Sequence, residues 1–163
     1  MMKVDPITLS VVRGILETTQ REMTLSLEKT SRSCVLNLAR DYSTSLFNAT
    51  PEMILQGQDI PIHLGSLMPA MKAVANFFSG EIHEGDLILH NDPAYNGSHI
   101  LDMCIYKPVF FEGKHVFWTV CKGHLTDVGG PVPASYNPEA TEIFAEGLRV
   151  PPIKLWEKGK QRD

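Results

Sequence analysis

Apolar residues near the start of the chain, Ile7, Val11, Ile15, Met23 and Leu27, recur at multiples of four. Val12 and Leu16 join them, while Arg13, Glu17, Arg21 and Glu28 take other faces. That spacing predicts one long amphipathic helix over residues 6–32. Asp5 supplies an N-cap, and Pro6 falls in the first helical position, where its missing N–H is of no consequence. At about seven turns of 3.6 residues the helix is longer than the globular mean. Part of it is expected to pack on something beyond the local fold, and the rest to face a core.

Past Leu36 the period shortens. Ser43 to Phe47 and Met53 to Gln56 flank the turn Asn48-Ala49-Thr50-Pro51 and read as a hairpin. A second helix is expected near 64–79, with Leu67, Met71, Val74, Ala75 and Phe78 as its apolar stripe and Gly80 ending it. Three strands follow, Asp86 to His90, Met103 to Phe111 and His115 to Cys121. The last two are joined through Glu112-Gly113-Lys114, with glycine where a positive φ is expected. From Thr126 the chain becomes rich in Gly and Pro, with one or two helical turns between Ala140 and Glu146, and it ends on the polar run Trp156 to Asp163. The class is α+β, with a long N-terminal helix and a mixed or antiparallel sheet built from hairpins. There is no internal repeat, and residues 1–163 read as a single segment.

Composition narrows the function classes. At 163 residues, 43% hydrophobic and 21% charged, the chain can bury a core and is not a disordered tail. A net charge of -4 and the lack of any basic block argue against a nucleic-acid partner. Apolar runs fall far short of the roughly 20 residues that span a bilayer, and the N-terminus lacks the apolar stretch and cleavage site of a signal peptide. Cys34, Cys104 and Cys121 form no close metal-type pair, and an odd number suits a reducing compartment, so a cytoplasmic location is the expectation.

The chemistry concentrates at strand ends. His90-Asn91-Asp92-Pro93 closes one strand; Asn96-Gly97-Ser98-His99 opens the next, with Asp102 three residues on; Gly123-His124 closes its hairpin partner, with Asp127 three residues on. Imidazole and carboxylate together suit Mn, Fe or Zn, so His99, Asp102 and His124 are candidate ligands. Residues i and i+3 of an extended strand point to opposite faces, so His99 and Asp102 share an ion only if a turn or bulge intervenes. The alternative is solvated loop histidines and turn-capping aspartates. No nucleophile elbow surrounds Ser66 or Ser98, and no phosphate-binding glycine loop occurs, so any ATP is bound by another chain.

One ordered series of motifs goes further. It comprises Asp5-Pro6-Ile7-Thr8-Leu9, Arg40-Asp41-Tyr42-Ser43, Ile60 to Ser66, Asn91-Asp92-Pro93, Gly97-Ser98-His99, Asp102, His124 to Gly130 and Glu142 to Pro152. The series resembles the hydantoinase B/5-oxoprolinase family. The resemblance implies a B-type subunit, or the N-terminal portion of one, whose A-type partner is an ATPase that activates a carbonyl. The B-type chain then completes the opening of a cyclic amide such as a hydantoin, 5-oxoproline or another lactam. A carboxylase-type relative would instead carboxylate a phosphorylated enol and bring a small third subunit, and a non-catalytic assembly module is the remaining alternative. By motif position the family's manganese ligands fall on His99, Asp102 and His124. His63 and Asp127 are expected as general base or ligand-orienting groups, with Asp41 as a further candidate. Asn96 stands where many members have glycine, Leu101 where they have proline, and Leu125 where they have a second histidine. B-type chains are longer, so the segment is expected to belong to a larger fold.

Overall fold

The computed structural model describes residues 4–58, 60–132 and 137–162; Pro133, in the irregular stretch, lies outside them. Helix α1 covers Pro6–Thr30. Its first turn is closed as the sequence predicts, with the Asp5 carboxylate accepting the Thr8 N–H at 3.0 Å. Ser31 ends the helix in extended backbone. A single turn, α2, follows at Cys34–Asn37 and runs just past Leu36, where the strand-like pattern begins. Strands β1 (Tyr42–Asn48) and β2 (Met53–Gln56) form the expected hairpin.

Helix α3 covers Pro61–Phe77, so it begins before residue 64. The reason is Pro61, whose fixed φ suits the first helical position. His63 therefore lies in the first turn of a helix. The remaining strands are β3 (Leu87–His90), β4 (Asp102–Phe111), β5 (Lys114–His124), β6 (Ile153–Glu157) and β7 (Lys160–Gln161). The expected helical turns near residues 140–146 are a short 3-10 turn at Ile143–Glu146. β4 and β5 are joined by a two-residue turn in which Glu112 and Gly113 both have positive φ, the conformation that matches the twist of a tight hairpin.

All strand pairs are antiparallel, in the order β2-β1-β5-β4-β3-β6-β7. Strand alternation then gives each face its occupants. On one face Phe47, Trp118, Val120, Cys104, Tyr106 and Ile88 pack against Leu67, Met71 and Val74 of α3 and form the core. The other face of β1 meets α1, where Gln20 is buried and donates to Thr24 and Thr44, and the Tyr42 hydroxyl donates to Glu28. Only the second half of α1 is used in this way. Ile7, Leu9, Val11, Val12 and Ile15 remain exposed, so the fold of this segment does not bury the first half of the predicted apolar stripe.

The polar run is also structured from Trp156 to Arg162. Gly85 has φ +86 and packs directly on Gly159: a Cβ on Gly85 would stand 2.4 Å from the Gly159 nitrogen. The buried Lys154 ammonium lies 2.9 Å from the Asp86 carboxylate, which also accepts the His83 and Lys158 N–H groups. Burial works against ionisation of Asp86, yet these partners hold its carboxyl below the usual range.

Candidate metal and catalytic site

The core face of the sheet turns polar at one end. In the register of β4 and β5, Pro108 faces Trp118, Tyr106 faces Val120, Cys104 faces Lys122, and Asp102 faces His124. β1 continues the same row, with Ser43 paired to Lys122 and Ser45 to Val120. Beyond the apolar rungs, therefore, Asp102, His124, Lys122 and Ser43 converge beneath the first turn of α3.

His99 reaches this end through a turn. Asp102 opens β4, and its N–H donates to the His99 carbonyl at 3.0 Å, so the two side chains converge instead of taking opposite faces. The preceding loop sets that turn. Asn96 has φ 64, a conformation asparagine tolerates, and Gly97 approaches the backbone so closely that a Cβ would stand 2.9 Å from the carbonyl oxygens of Asn91 and Asp92.

Asp102 Oδ1 lies 3.4 Å from His99 Nε2 and 3.1 Å from His124 Nδ1. One ligand atom from each of these residues falls within 4.8 Å of the others. Donors bound at about 2.0–2.2 Å to one small divalent ion are separated by at most about 4.4 Å, so both measured pairs lie within ligand spacing. The set is borderline nitrogen with hard oxygen, which suits Mn, Fe or Zn. Burial pushes the His99 imidazole toward its neutral form, against the pull of the Asp102 charge, and leaves a nitrogen lone pair available.

Two further predicted residues join this group. The buried His63 ring places Nε2 3.4 Å from Asp41 Oδ1 and 3.6 Å from Asp102 Oδ2, and Nδ1 3.0 Å from the Ser43 hydroxyl. Burial again favours its neutral form. Asp41, one-third exposed, brings Oδ2 to 4.0 Å from His124 Nδ1, and its carbonyl accepts the His124 N–H at 3.0 Å. Asp127 does not join them. It is exposed, and its carboxylate caps the turn by accepting the Gly129 N–H at 2.7 Å, the local role short acidic side chains often take. Asn91 is likewise spent on backbone, bonded to Ile100, Leu148 and Val150.

Sequence reasoning missed Lys122. Only 2% exposed, it donates to Ser66 at 2.7 Å and to Ser98, and lies 3.0 Å from Asp102 Oδ2. Ser98 donates to that same oxygen. The available signal was the alternation of β5, which puts Lys122 on the face of Trp118 and Val120. The Asp102 carboxyl is held below its usual range: burial opposes this, but Ser98 and Lys122 outweigh it.

The family model described as hydantoinase B/oxoprolinase matches residues 5–163. The chain belongs to this family. Among its relatives, the caprolactamase subunit beta of Pseudomonas jessenii is 75% identical over 163 residues, all of this chain and 28% of that protein. The 5-oxoprolinase of Dictyostelium discoideum is 31% identical over 157 residues, 96% of this chain and 12% of that protein. The chain thus spans well under a third of the relatives it matches. The crystal structure of the ATP-dependent caprolactamase from Pseudomonas jessenii superposes with a TM-score of 0.92 over 99% of this chain and 28% of that one. A nucleotide-free acetone carboxylase shares the fold, with a TM-score of 0.87 at 22% identity, over 97% of this chain and 21% of that one. Among the described residues of this hydantoinase B/oxoprolinase segment, no helix is long and apolar enough to cross a membrane.

Proposed function

We propose that this segment belongs to a B-type subunit that opens a cyclic amide of the lactam class in an ATP-dependent reaction, with nucleotide bound and spent on an A-type ATPase partner. The observation that carries this reading is the 75% identity with a caprolactamase beta subunit along the whole segment. In it, His99, Asp102 and His124 hold a divalent cation, manganese in first place with zinc or iron as alternatives. When bound, such an ion polarises an acyl oxygen and acidifies water.

The remaining work is done by side chains. Asp41 is the more exposed carboxylate of the cluster and takes a proton from the water that attacks the activated amide. His63 sits behind it, shielded from solvent, and orients it through Nε2 while Ser43 fixes the other ring nitrogen. The two carboxylates thus have separate tasks, Asp102 between the imidazoles and Asp41 at the solvent edge.

The test uses the complete protein purified with its co-purifying subunits, from a cytoplasmic extract. The expected result is ATP consumption that depends on a lactam, an amino-acid product, about one divalent ion per chain, and loss of both ion and turnover in His99→Ala and His124→Ala. A carboxylated product together with a small third subunit would establish the carboxylase alternative. Lactam-independent ATP use, with no ion in the wild type, would leave an assembly role.

A further inference from the structure

We infer that Lys122 is a positioning residue for the candidate cation site: its buried ammonium occupies one oxygen of Asp102, so that the other alone is presented to His99 and His124. This rests on the cation reading of the preceding section. An ammonium taken fully out of water is costly unless every proton finds an acceptor and the charge finds a partner. Lys122 meets both conditions. Its three protons face three acceptors, Ser66 Oγ at 2.7 Å, Ser98 Oγ, and Asp102 Oδ2 at 3.0 Å.

The consequence falls on the carboxylate. Asp102 Oδ2 receives Lys122 and the Ser98 hydroxyl, whereas Oδ1 faces the two imidazole nitrogens at 3.4 and 3.1 Å. The oxygens are therefore unequal, and the arrangement presents a one-oxygen ligand with its orientation fixed from behind. The Ser66 hydroxyl also donates to the His63 carbonyl at 3.0 Å, which ties the ammonium to the first turn of α3 and so to the base of the His63 side chain. Lys122 also offsets the Asp102 charge, so an ion bound there would keep more of its own.

The probe is Co2+ added to the metal-free complete protein, with affinity read by competition with a chromophoric chelator and ligand geometry by the visible absorption bands. Lys122→Met is expected to weaken Co2+ binding 10–100-fold and to change the bands, because Oδ2 loses its ammonium partner and is then held back by the Ser98 hydroxyl alone. Ser98→Ala removes the second partner of Oδ2 at an exposed position and is expected to weaken binding several-fold with a band change in the same direction. It decides the question if Lys122→Met does not fold. A folded Lys122→Met, or failing that Ser98→Ala, with wild-type affinity and bands would overturn the inference, as would a lowered melting temperature with unmoved bands. A wild type that takes up no Co2+ would overturn the cation reading, and this inference with it.

Discussion

Asp102 and His124 face each other across β4 and β5, with Oδ1 3.1 Å from Nδ1, at the point where the core face of the sheet changes from apolar to charged. Asp102 is also the carboxylate partner of the buried Lys122. Removing its charge should therefore cost stability as well as function. Asp102→Asn is expected to destabilise the metal-free protein by about 3 kcal/mol, because it leaves a buried ammonium without its counter-charge. His99→Ala should cost less than about 1 kcal/mol, since that side chain is 48% exposed. Urea unfolding in the presence of a chelator separates the two. Equal losses would mean that the Asp102 charge is not a structural element.

His90 should make the fold sensitive to mild acid. It is fully buried, its Nε2 lies 2.8 Å from the Tyr106 hydroxyl, and burial depresses its pKa from 6.5 to about 4, with Asp92 opposing and Lys122 adding to the shift. The unfolded chain takes up this proton near pH 6.5 and the folded chain only near 4, so stability is full above about 6.5 and is lost as pH falls toward 4. Between pH 7 and pH 5 the His90 contribution to that loss is about 2 kcal/mol. His90→Gln keeps a hydrogen-bonding partner for Tyr106 and does not titrate. Its stability should fall correspondingly less over that interval in thermal or urea unfolding, and parallel profiles would assign the acid sensitivity elsewhere.

The loop before β4 is expected to tolerate no side chain at Gly97. A methyl there would stand 2.9 Å from two carbonyl oxygens of fixed backbone, and Asn91 is itself anchored by three hydrogen bonds. Gly97→Ala should cost about 1–3 kcal/mol through the required backbone shift. It should also weaken cation binding, because Ser98 and His99 follow directly. A variant with unchanged melting temperature and cation uptake would show that the loop yields freely.

How much of this was legible in the sequence differs by region. Capping at Asp5-Pro6, the Glu112-Gly113 turn and the periodicity of α1 are local signals, and each names its element closely. The apolar stripe places the second helix near residue 64, and Pro61 as a first-turn residue starts it earlier, which brings His63 into the helix. The sequence shows a polar run from Trp156, and the end of β6 and all of β7 fall within it. β6 is placed by pairing with the distant β3 and by Asp86 receiving Lys154 across the fold, which no local window contains, whereas β7 returns on β6 through the Lys158-Gly159 turn, a local signal. In the site, the three candidate ligands were visible as residue types at strand ends. Lys122 was not, because its meaning comes from register: only the pairing of β4 with β5 puts it one rung from Asp102.

The pair Asp41 and Asp127 tests the division of labour most directly, because the family resemblance makes both candidates. Asp127 repeats the i+3 relation to His124 that Asp102 bears to His99. The fold breaks that symmetry. Asp102 lies on the strand face turned toward the imidazoles, whereas Asp127 lies past the end of β5 and is spent on the Gly129 N–H. Asp127→Ala is therefore expected to leave cation affinity and turnover within about twofold of wild type, with a stability loss of about 0.5–1 kcal/mol from the lost turn hydrogen bond. Asp41→Ala should fold and yet lose about 100-fold or more in turnover, as removal of a proton acceptor does. Steady-state rates with melting temperatures on both variants give the answer. The reverse pattern, with Asp127→Ala inactive and Asp41→Ala active, would place the base on the segment after β5 and require that segment to close over the imidazoles during the reaction.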